Sequence, residues 1–325
     1  MTDIKTEKNR LLVKICKLYY EDGCNQQEIA ERIGISRPHV SRMLAAAKAE
    51  GIVQISIKNP YSAEQQMEQL LVETFGIHDV VVVDIPPADE QKLYVQLGKT
   101  TAVLLESILK DNDIVGVMAG RTIAAIGDEL EFFSKNNLQF VPLVGGWGSE
   151  GVPWHANSNT MAIADKLKSK YWLLHAPAVV SNEETGVLLR GEPGISKVLQ
   201  LAQSCQVAVV GIGDVSERST IAEAGHFSSE DLESVKGTGA AAALCASFLD
   251  TDGRTIDHPV KKRMIGLTAE ELRGIPKVIA VAGGRDKAAA ITAVLRGKWV
   301  DVLVTDLATA QAVMAIHRNT AGKKG

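Results

Sequence analysis

Along the first sixty residues the apolar positions recur at spacings of three and four. From Arg10 to Tyr20, Leu11, Leu12, Ile15, Leu18 and Tyr19 share one helix face, and Asp22-Gly23 ends that helix. A second helix is predicted over Gln26 to Ile33 with Ile29, Ala30 and Ile33 inward, and Gly34 supplies the left-handed residue of a tight turn. Ile35 plugs the angle that follows. Ser36 as N-cap and Pro38 in the first turn open a third helix, whose buried stripe is Val40, Met43, Leu44 and Ala47. A short alternating strand is predicted over Ile52 to Ile57, and Asn59-Pro60 closes the unit. Helix, turn, helix and strand in that order predict a small winged helix-turn-helix domain over residues 1–60.

The stripe leaves Arg37, His39, Ser41 and Arg42 facing outward, with Ser36 beside them, at the helix N-terminus that enters the major groove in this motif. Arginine pairs bidentately with guanine and serine reaches bases or phosphates, while Gln26 and Lys48 are placed for backbone phosphates. A structural helix pair with solvated basic residues is the plainer alternative. Turn glycine, cap, stripe and exposed polar face within one short window favour double-stranded operator DNA as the partner.

Residues 62–75 place Met67, Leu70, Leu71 and Phe75 on one face, so a linker helix is predicted that either pairs subunits or packs on its own domain. Paired DNA half-sites favour a homo-oligomer, a dimer or tetramer. Beyond the linker the pattern changes to short, fully apolar runs: VVVV near 80, IVGVM near 115, QFVPLV near 140, WLLHAPAVV near 175, VAVVGIG near 209, VIAVAGG near 280 and VDVLVTD near 302. Alternating with helical segments, they predict a doubly wound α/β domain with a largely parallel sheet over residues 61–325.

Many of these runs end in glycine: Gly120-Arg121-Thr122, Gly145-Gly146, Gly211-Ile212-Gly213 and Gly283-Gly284 ahead of Lys287. Ligands of open α/β sheets bind outside the carboxyl ends of strands, where glycine lets backbone N–H groups approach an anion. Any one such loop is more often ordinary turn chemistry; their repetition favours an anionic small ligand. GIGDVS lacks the third glycine of a dinucleotide fingerprint and AGGRDK lacks P-loop spacing, so no cofactor is expected. Arg121, Thr122 and Lys287 offer charge and hydroxyl to a phosphate. Asp250 offers an acceptor to sugar hydroxyls, and Asp252-Gly253 reads as a turn.

Charge sharpens the division. Residues 1–60 hold ten Lys/Arg against seven Asp/Glu, a balance of +3, which leaves −7 for the remainder of a chain whose total is −4. A mildly basic head on an acidic body suits a DNA-binding module joined to a domain that avoids DNA. The four cysteines are scattered, without metal-ligand spacing or a disulfide pattern. No run is long and apolar enough to span a membrane and the start is polar, so a cytoplasmic protein is expected.

These residues together resemble the SorC family of bacterial sugar-responsive transcription regulators. The resemblance rests on LYYEDGCNQQEIAERIGISRPHVSRML, VGVMAGRT, VPLVGGWG, the HAN at His155 to Asn157, LLHAPAVV, VAVVGIGDV, SFLDTDGR, IGLTAEELRGIPKVIAVAGGRDKAAAI and VLVTD, in that order. It implies an effector domain similar in fold to sugar-phosphate isomerases, tetramers, and a phosphorylated-sugar inducer. Carried over position by position, the pocket would use Gly120-Arg121-Thr122, Gly145-Gly146, Gly211, Gly213, Asp250 and Lys287, with phosphate against the first and last. Ala119, where the family often has an aromatic, and GTGAAAALC ahead of the aspartate depart from the pattern and alter the expected pocket shape.

The function expected is a repressor of a carbohydrate catabolic operon, released by its effector. The alternative is an enzyme of the sugar-phosphate isomerase or deaminase type with Asp250, Asp252 or Asp257 as general base, which leaves the DNA-binding head without a purpose. A purely protein-binding module explains neither the head nor the glycine loops.

Overall fold

A computed structural model describes residues 2–53, 62–85, 89–146, 154–216 and 227–321. The chain divides into two compact units, 1–60 and 61–325. In the first, α1 (Thr2–Tyr20), α2 (Gln26–Ile33) and α3 (Arg37–Ala49) enclose a core of Leu12, Ile15, Leu18, Ile29, Ala30, Val40, Met43, Leu44 and Ala47. Gly34 has φ +77° and its N–H donates to the Ala30 carbonyl, which ends α2 in the left-handed conformation that glycine adopts without a Cβ penalty.

Two local features differ from the sequence expectation. Ser36 occupies the N-cap of α3, but its hydroxyl makes no capping hydrogen bond; the helix is started instead by backbone geometry and by Pro38. The strongest cap lies one helix earlier. Asn25 accepts from the N–H groups of Gln27 and Glu28 while Glu28 accepts from the Asn25 N–H, a reciprocal capping box. Asn25→Ala should therefore destabilise this unit by about 1 kcal/mol, read as a lowered denaturation midpoint with no change in the fold. Most of the strand expected over Ile52 to Ile57 lies outside the described residues.

In the second unit seven strands form one parallel sheet in the order β1-β9-β8-β5-β2-β3-β4: β1 (Asp79–Val83), β2 (Ile114–Val117), β3 (Gln139–Pro142), β4 (Lys170–Tyr171), β5 (Val207–Val210), β8 (Lys277–Val281) and β9 (Val302–Asp306). Successive side chains of a strand face opposite ways. Val207 and Val209 thus join one apolar layer and Ala208 and Val210 the other, so the middle of the sheet is buried on both faces, while the edge strand β4 is exposed. After the linker the helices of this unit are α5 (Glu90–Ile108), α6 (Arg121–Glu129), α7 (Ala156–Lys166), α8 (Glu183–Gly191), α9 (Pro193–Gln203), α10 (Ser229–Gly237), α11 (Ala269–Leu272), α12 (Ala288–Arg296) and α13 (Leu307–Ala321).

The linker helix, α4 (Ser62–Phe75), packs on its own unit: Leu71 and Phe75 are buried, the Phe75 ring meets His317 of α13 edge-on at 4.8 Å, and Glu68 accepts from the Val82 N–H at 2.8 Å. That resolves the two readings of its apolar face towards internal packing for Leu71 and Phe75.

WLLHAPAVV is not a strand. The edge strand stops at Tyr171, and Asn157 takes over as the partner of Leu174, donating to its carbonyl at 3.1 Å and accepting from its N–H at 3.0 Å. An amide side chain there replaces a neighbouring strand. An antiparallel hairpin of β6 (Ala240–Leu244) and β7 (Ser247–Asp250) was not expected, because its alanine-rich first arm carries little β propensity.

Candidate functional site

Strand order reverses between β2 and β5. From β2 the chain winds outward to β3 and β4; from β5 it winds the other way to β8 and β9. Val117 pairs with Val209, so the carboxyl ends of these two strands lie side by side and the loops leaving them diverge. A cavity of ≈410 Å³ opens at this switch point, where α/β sheets hold ligands.

From β2 the cavity receives Met118 to Ile123, from β5 Gly211 to Asp214, and from the β8 side Asp286 and Lys287. Gly120 has φ +133° and is the N-cap of α6; its missing side chain leaves the positive end of that helix at the cavity, with Thr122 buried beneath. The loop is held firmly. The Gly120 N–H donates to the Trp154 carbonyl at 2.9 Å, and the buried Asn159 amide donates to the carbonyls of Met118, Gly120 and Trp154 at 3.1, 3.3 and 3.4 Å. The Arg121 guanidinium lies 6.0 Å from the Trp154 ring centre, within range of a cation–π contact. Opposite, Gly284 with φ +103° donates to Asp306 at 3.1 Å and Thr309 at 2.8 Å, which fixes the short 3-10 turn Arg285–Lys287 ahead of α12.

The structure therefore brings together Gly120, Arg121, Thr122, Gly211, Gly213 and Lys287, and leaves out three expected positions. Gly145 and Gly146 do not line the cavity. A Cβ at Gly145 would stand 2.6 Å from the Pro177 carbonyl oxygen and 2.7 Å from that of Ala176, and the Gly146 N–H donates to Ala176. At Gly145 close backbone approach requires glycine. Asp250 is also outside: its carboxylate accepts from the N–H groups of Asp252 and Arg254 at 2.9 and 2.8 Å, which closes the turn after β7. Gly253, with φ +82°, packs against Gly297, and neither Asp252 nor Asp257 reaches the cavity, so the carboxylates considered for an enzyme are not assembled around it.

Sequence reading missed the α5 wall. Glu90 and Tyr94, one turn apart at the head of the helix after β1, line the cavity, and the Tyr94 hydroxyl donates to Glu90. The residues between β1 and α5 contain no glycine, so glycine-ended strands do not point to this wall. Ala243 and Cys245 of the hairpin complete the wall.

On α3 the structure buries Val40, Met43, Leu44 and Ala47 and leaves Arg37, His39, Ser41 and Arg42 exposed together with Ser36. The Arg42 Nε lies 3.4 Å from the Pro38 carbonyl, a weak contact on the same exposed face. Lys48, at the far end, sits 6.0 Å from the Tyr20 ring centre, and Gln26 is half-buried at the start of α2.

A sugar-binding domain family matches residues 59–315, and a Crp-like helix-turn-helix family matches residues 10–62. The chain is 29% identical to the deoxyribonucleoside regulator of Bacillus subtilis over 95% of this chain and 98% of that one. It is 31% identical to the transcriptional regulator LsrR of Enterobacter sp. (strain 638), covering 95% of this chain and 94% of its relative. The crystal structure of the full-length sorbitol operon regulator SorC from Klebsiella pneumoniae superposes with a TM-score of 0.73 at 29% identity, covering 93% and 97% of the two chains. The chain belongs to the SorC family of transcription regulators. Its relatives are named as regulators and not as enzymes.

Membership accounts for the division of labour in this SorC-family regulator: a helix-turn-helix that binds DNA and an α/β unit of the sugar-binding type. Among the described residues no helix is long and apolar enough to cross a membrane, and no group of three or more His, Cys, Asp or Glu is placed to hold a metal ion.

Proposed function

We propose that this regulator is a cytoplasmic repressor of a carbohydrate catabolic operon, that its effector is a phosphorylated sugar or polyol, and that the effector releases it from the operator. The observation that carries the effector class is the meeting of Arg121, Lys287 and the uncapped N-terminus of α6 around one cavity at the sheet's switch point. A guanidinium, an ammonium and a helix terminus are the usual donors to a phosphate dianion. Arg37, Ser41 and Arg42 on the exposed face of α3 are assigned to bases, with His39 and Ser36 beside them and Gln26 and Lys48 on phosphates.

Repression fits a protein made for catabolic substrates, since the operon need be expressed only when its substrate is present. The reading includes a homodimer or tetramer, because paired heads match paired half-sites. Release then requires that the effector bind one arrangement of the assembly more tightly than another; equal affinity shifts nothing.

The test is a set of denaturation midpoints measured with phosphorylated and unphosphorylated sugars and polyols. A ligand that binds only the folded protein stabilises it by about 2.7 kcal/mol at a hundred times its Kd. The expected result is a raised midpoint with one phosphorylated compound and none with its parent polyol. A midpoint moved only by unphosphorylated sugars would remove the phosphate from this reading.

A further inference from the structure

We propose that Asp306 and Thr309 are positioning residues of the effector site: without lining the effector cavity, they set the place of Lys287 and with it the affinity for a phosphorylated effector. The inference rests on the phosphate reading above and deepens it at one of the cavity's cations. Lys287 reaches the cavity as the last residue of the 3-10 turn Arg285–Lys287. Within the turn the Lys287 N–H donates to the Gly284 carbonyl at 3.0 Å, and Arg285 and Asp286 are exposed. So short a turn holds itself weakly, and the direction of the Lys287 stem depends on what grips it from outside.

That grip comes from the end of β9 and the first turn of α13. The Thr309 hydroxyl donates to Asp306 Oδ2 at 2.5 Å and accepts from the Gly284 N–H at 2.8 Å, and the same Oδ2 accepts from that N–H at 3.1 Å. Asp306 Oδ1 accepts from the Thr309 N–H at 2.9 Å, as the cap of a helix start does. Capping α13 uses one carboxylate oxygen, and the second is committed to the turn. Asp306 is 5% exposed and Thr309 0%. A buried carboxylate is tolerated where its oxygens are hydrogen-bonded, so these bonds fix the pair in one arrangement and make it a firm anchor.

The glycine pair is shaped to this contact. A Cβ at Gly283 would stand 2.8 Å from Asp306 Oδ2 and 2.9 Å from Leu97 Cδ1, and Gly284 holds φ +103°, a conformation that side chains rarely adopt. Glycines that suggest an anion loop in the sequence thus seat an internal carboxylate, and the Gly284 N–H is engaged by it. The cation this turn brings to the effector cavity is Lys287. Asp306 itself borders a neighbouring cavity of ≈380 Å³, of which Lys287 is also a wall. A direct contact of Asp306 with a ligand and an action through Lys287 are therefore distinct readings, and they differ in whether the effect of the pair survives the loss of Lys287.

The experiment is calorimetric titration of the full-length protein and its variants with inorganic phosphate, glucose 6-phosphate, fructose 6-phosphate and ribose 5-phosphate, the tightest of the four serving as probe throughout. Thr309→Val keeps the shape and the capping N–H but loses the hydroxyl, and should weaken the probe about five- to ten-fold. Asp306→Asn, with one carbonyl oxygen for both the cap and the turn, should weaken it by a similar factor. Thr309→Ser keeps the hydroxyl and should bind within about two-fold of the wild type. The deciding measurement is a double-mutant cycle. In the Lys287→Ala background Thr309→Val should change affinity by less than about two-fold, because a positioning residue has no effect once the group it positions is gone. Equal losses in the two backgrounds, an affinity unmoved by Thr309→Val, or a Thr309→Ser variant as weak as Thr309→Val overturns the proposal while Lys287 keeps its phosphate. Lys287→Ala binding the probe as tightly as the wild type, or no binding of any of the four compounds, removes the phosphate reading itself and this inference with it.

Discussion

Replacing both Arg121 and Lys287 by alanine should lower affinity for the phosphorylated effector by about a hundredfold to a thousandfold, and leave effector-free operator binding as it was. Each side chain supplies a charge-assisted hydrogen bond of roughly 1.5–3 kcal/mol, and two that grip one phosphate do not add in full. Both residues line the cavity of the unit 61–325, while the exposed α3 face belongs to the unit 1–60, so the two affinities are separable. Arg121→Lys adds a finer distinction: it keeps the charge but loses the planar group that lies 6.0 Å from the Trp154 ring centre. Its affinity should fall between those of the wild type and Arg121→Ala. Calorimetry with the effector found in the melting screen, alongside fluorescence anisotropy on operator DNA, reads both quantities. Unchanged effector affinity in the double variant would put the phosphate elsewhere.

What sequence made legible follows from what each signal depends on. The buried strands β2, β5, β8 and β9 declare themselves because a parallel sheet covered on both faces demands unbroken apolar runs, as in VAVV at 207–210. The α3 stripe is legible for a similar reason: Val40, Met43, Leu44 and Ala47 repeat at the helical period and the polar face is their complement. Glycine loops were the ambiguous signal. Gly120 and Gly145 look alike in the chain, each following an apolar run, yet one heads a helix at a cavity and the other lies against the Pro177 carbonyl. Only the packing across the sheet separates them. The Asn157 clamp on Leu174 and the turn built by Asp250 are likewise long-range or geometric choices with no periodic trace. Glu90 and Tyr94 escaped notice for a different reason. An acid and a phenol four apart at a helix start resemble any solvated turn until the neighbouring strand ends are in place.

The α3 face admits an equally direct experiment. Arg37→Ala combined with Arg42→Ala should reduce operator affinity by about a hundredfold to a thousandfold, since a bidentate arginine–guanine pair discriminates by roughly 1–3 kcal/mol and both residues project from the exposed N-terminal half of the helix. The fold should survive, because neither side chain enters the core of Val40, Met43, Leu44 and Ala47. Lys48→Ala is the informative control. Lys48 stands at the opposite end of α3, near the Tyr20 ring, where a contact to a phosphate changes affinity without changing which sequence is preferred. Its loss should weaken binding to specific and random DNA alike and reduce the slope of log K against log salt by about one. The arginine variants should instead lose most of the difference between operator and random DNA. If all three substitutions lowered both affinities in parallel, α3 would be acting through phosphates alone, and sequence recognition would have to reside in another part of the head.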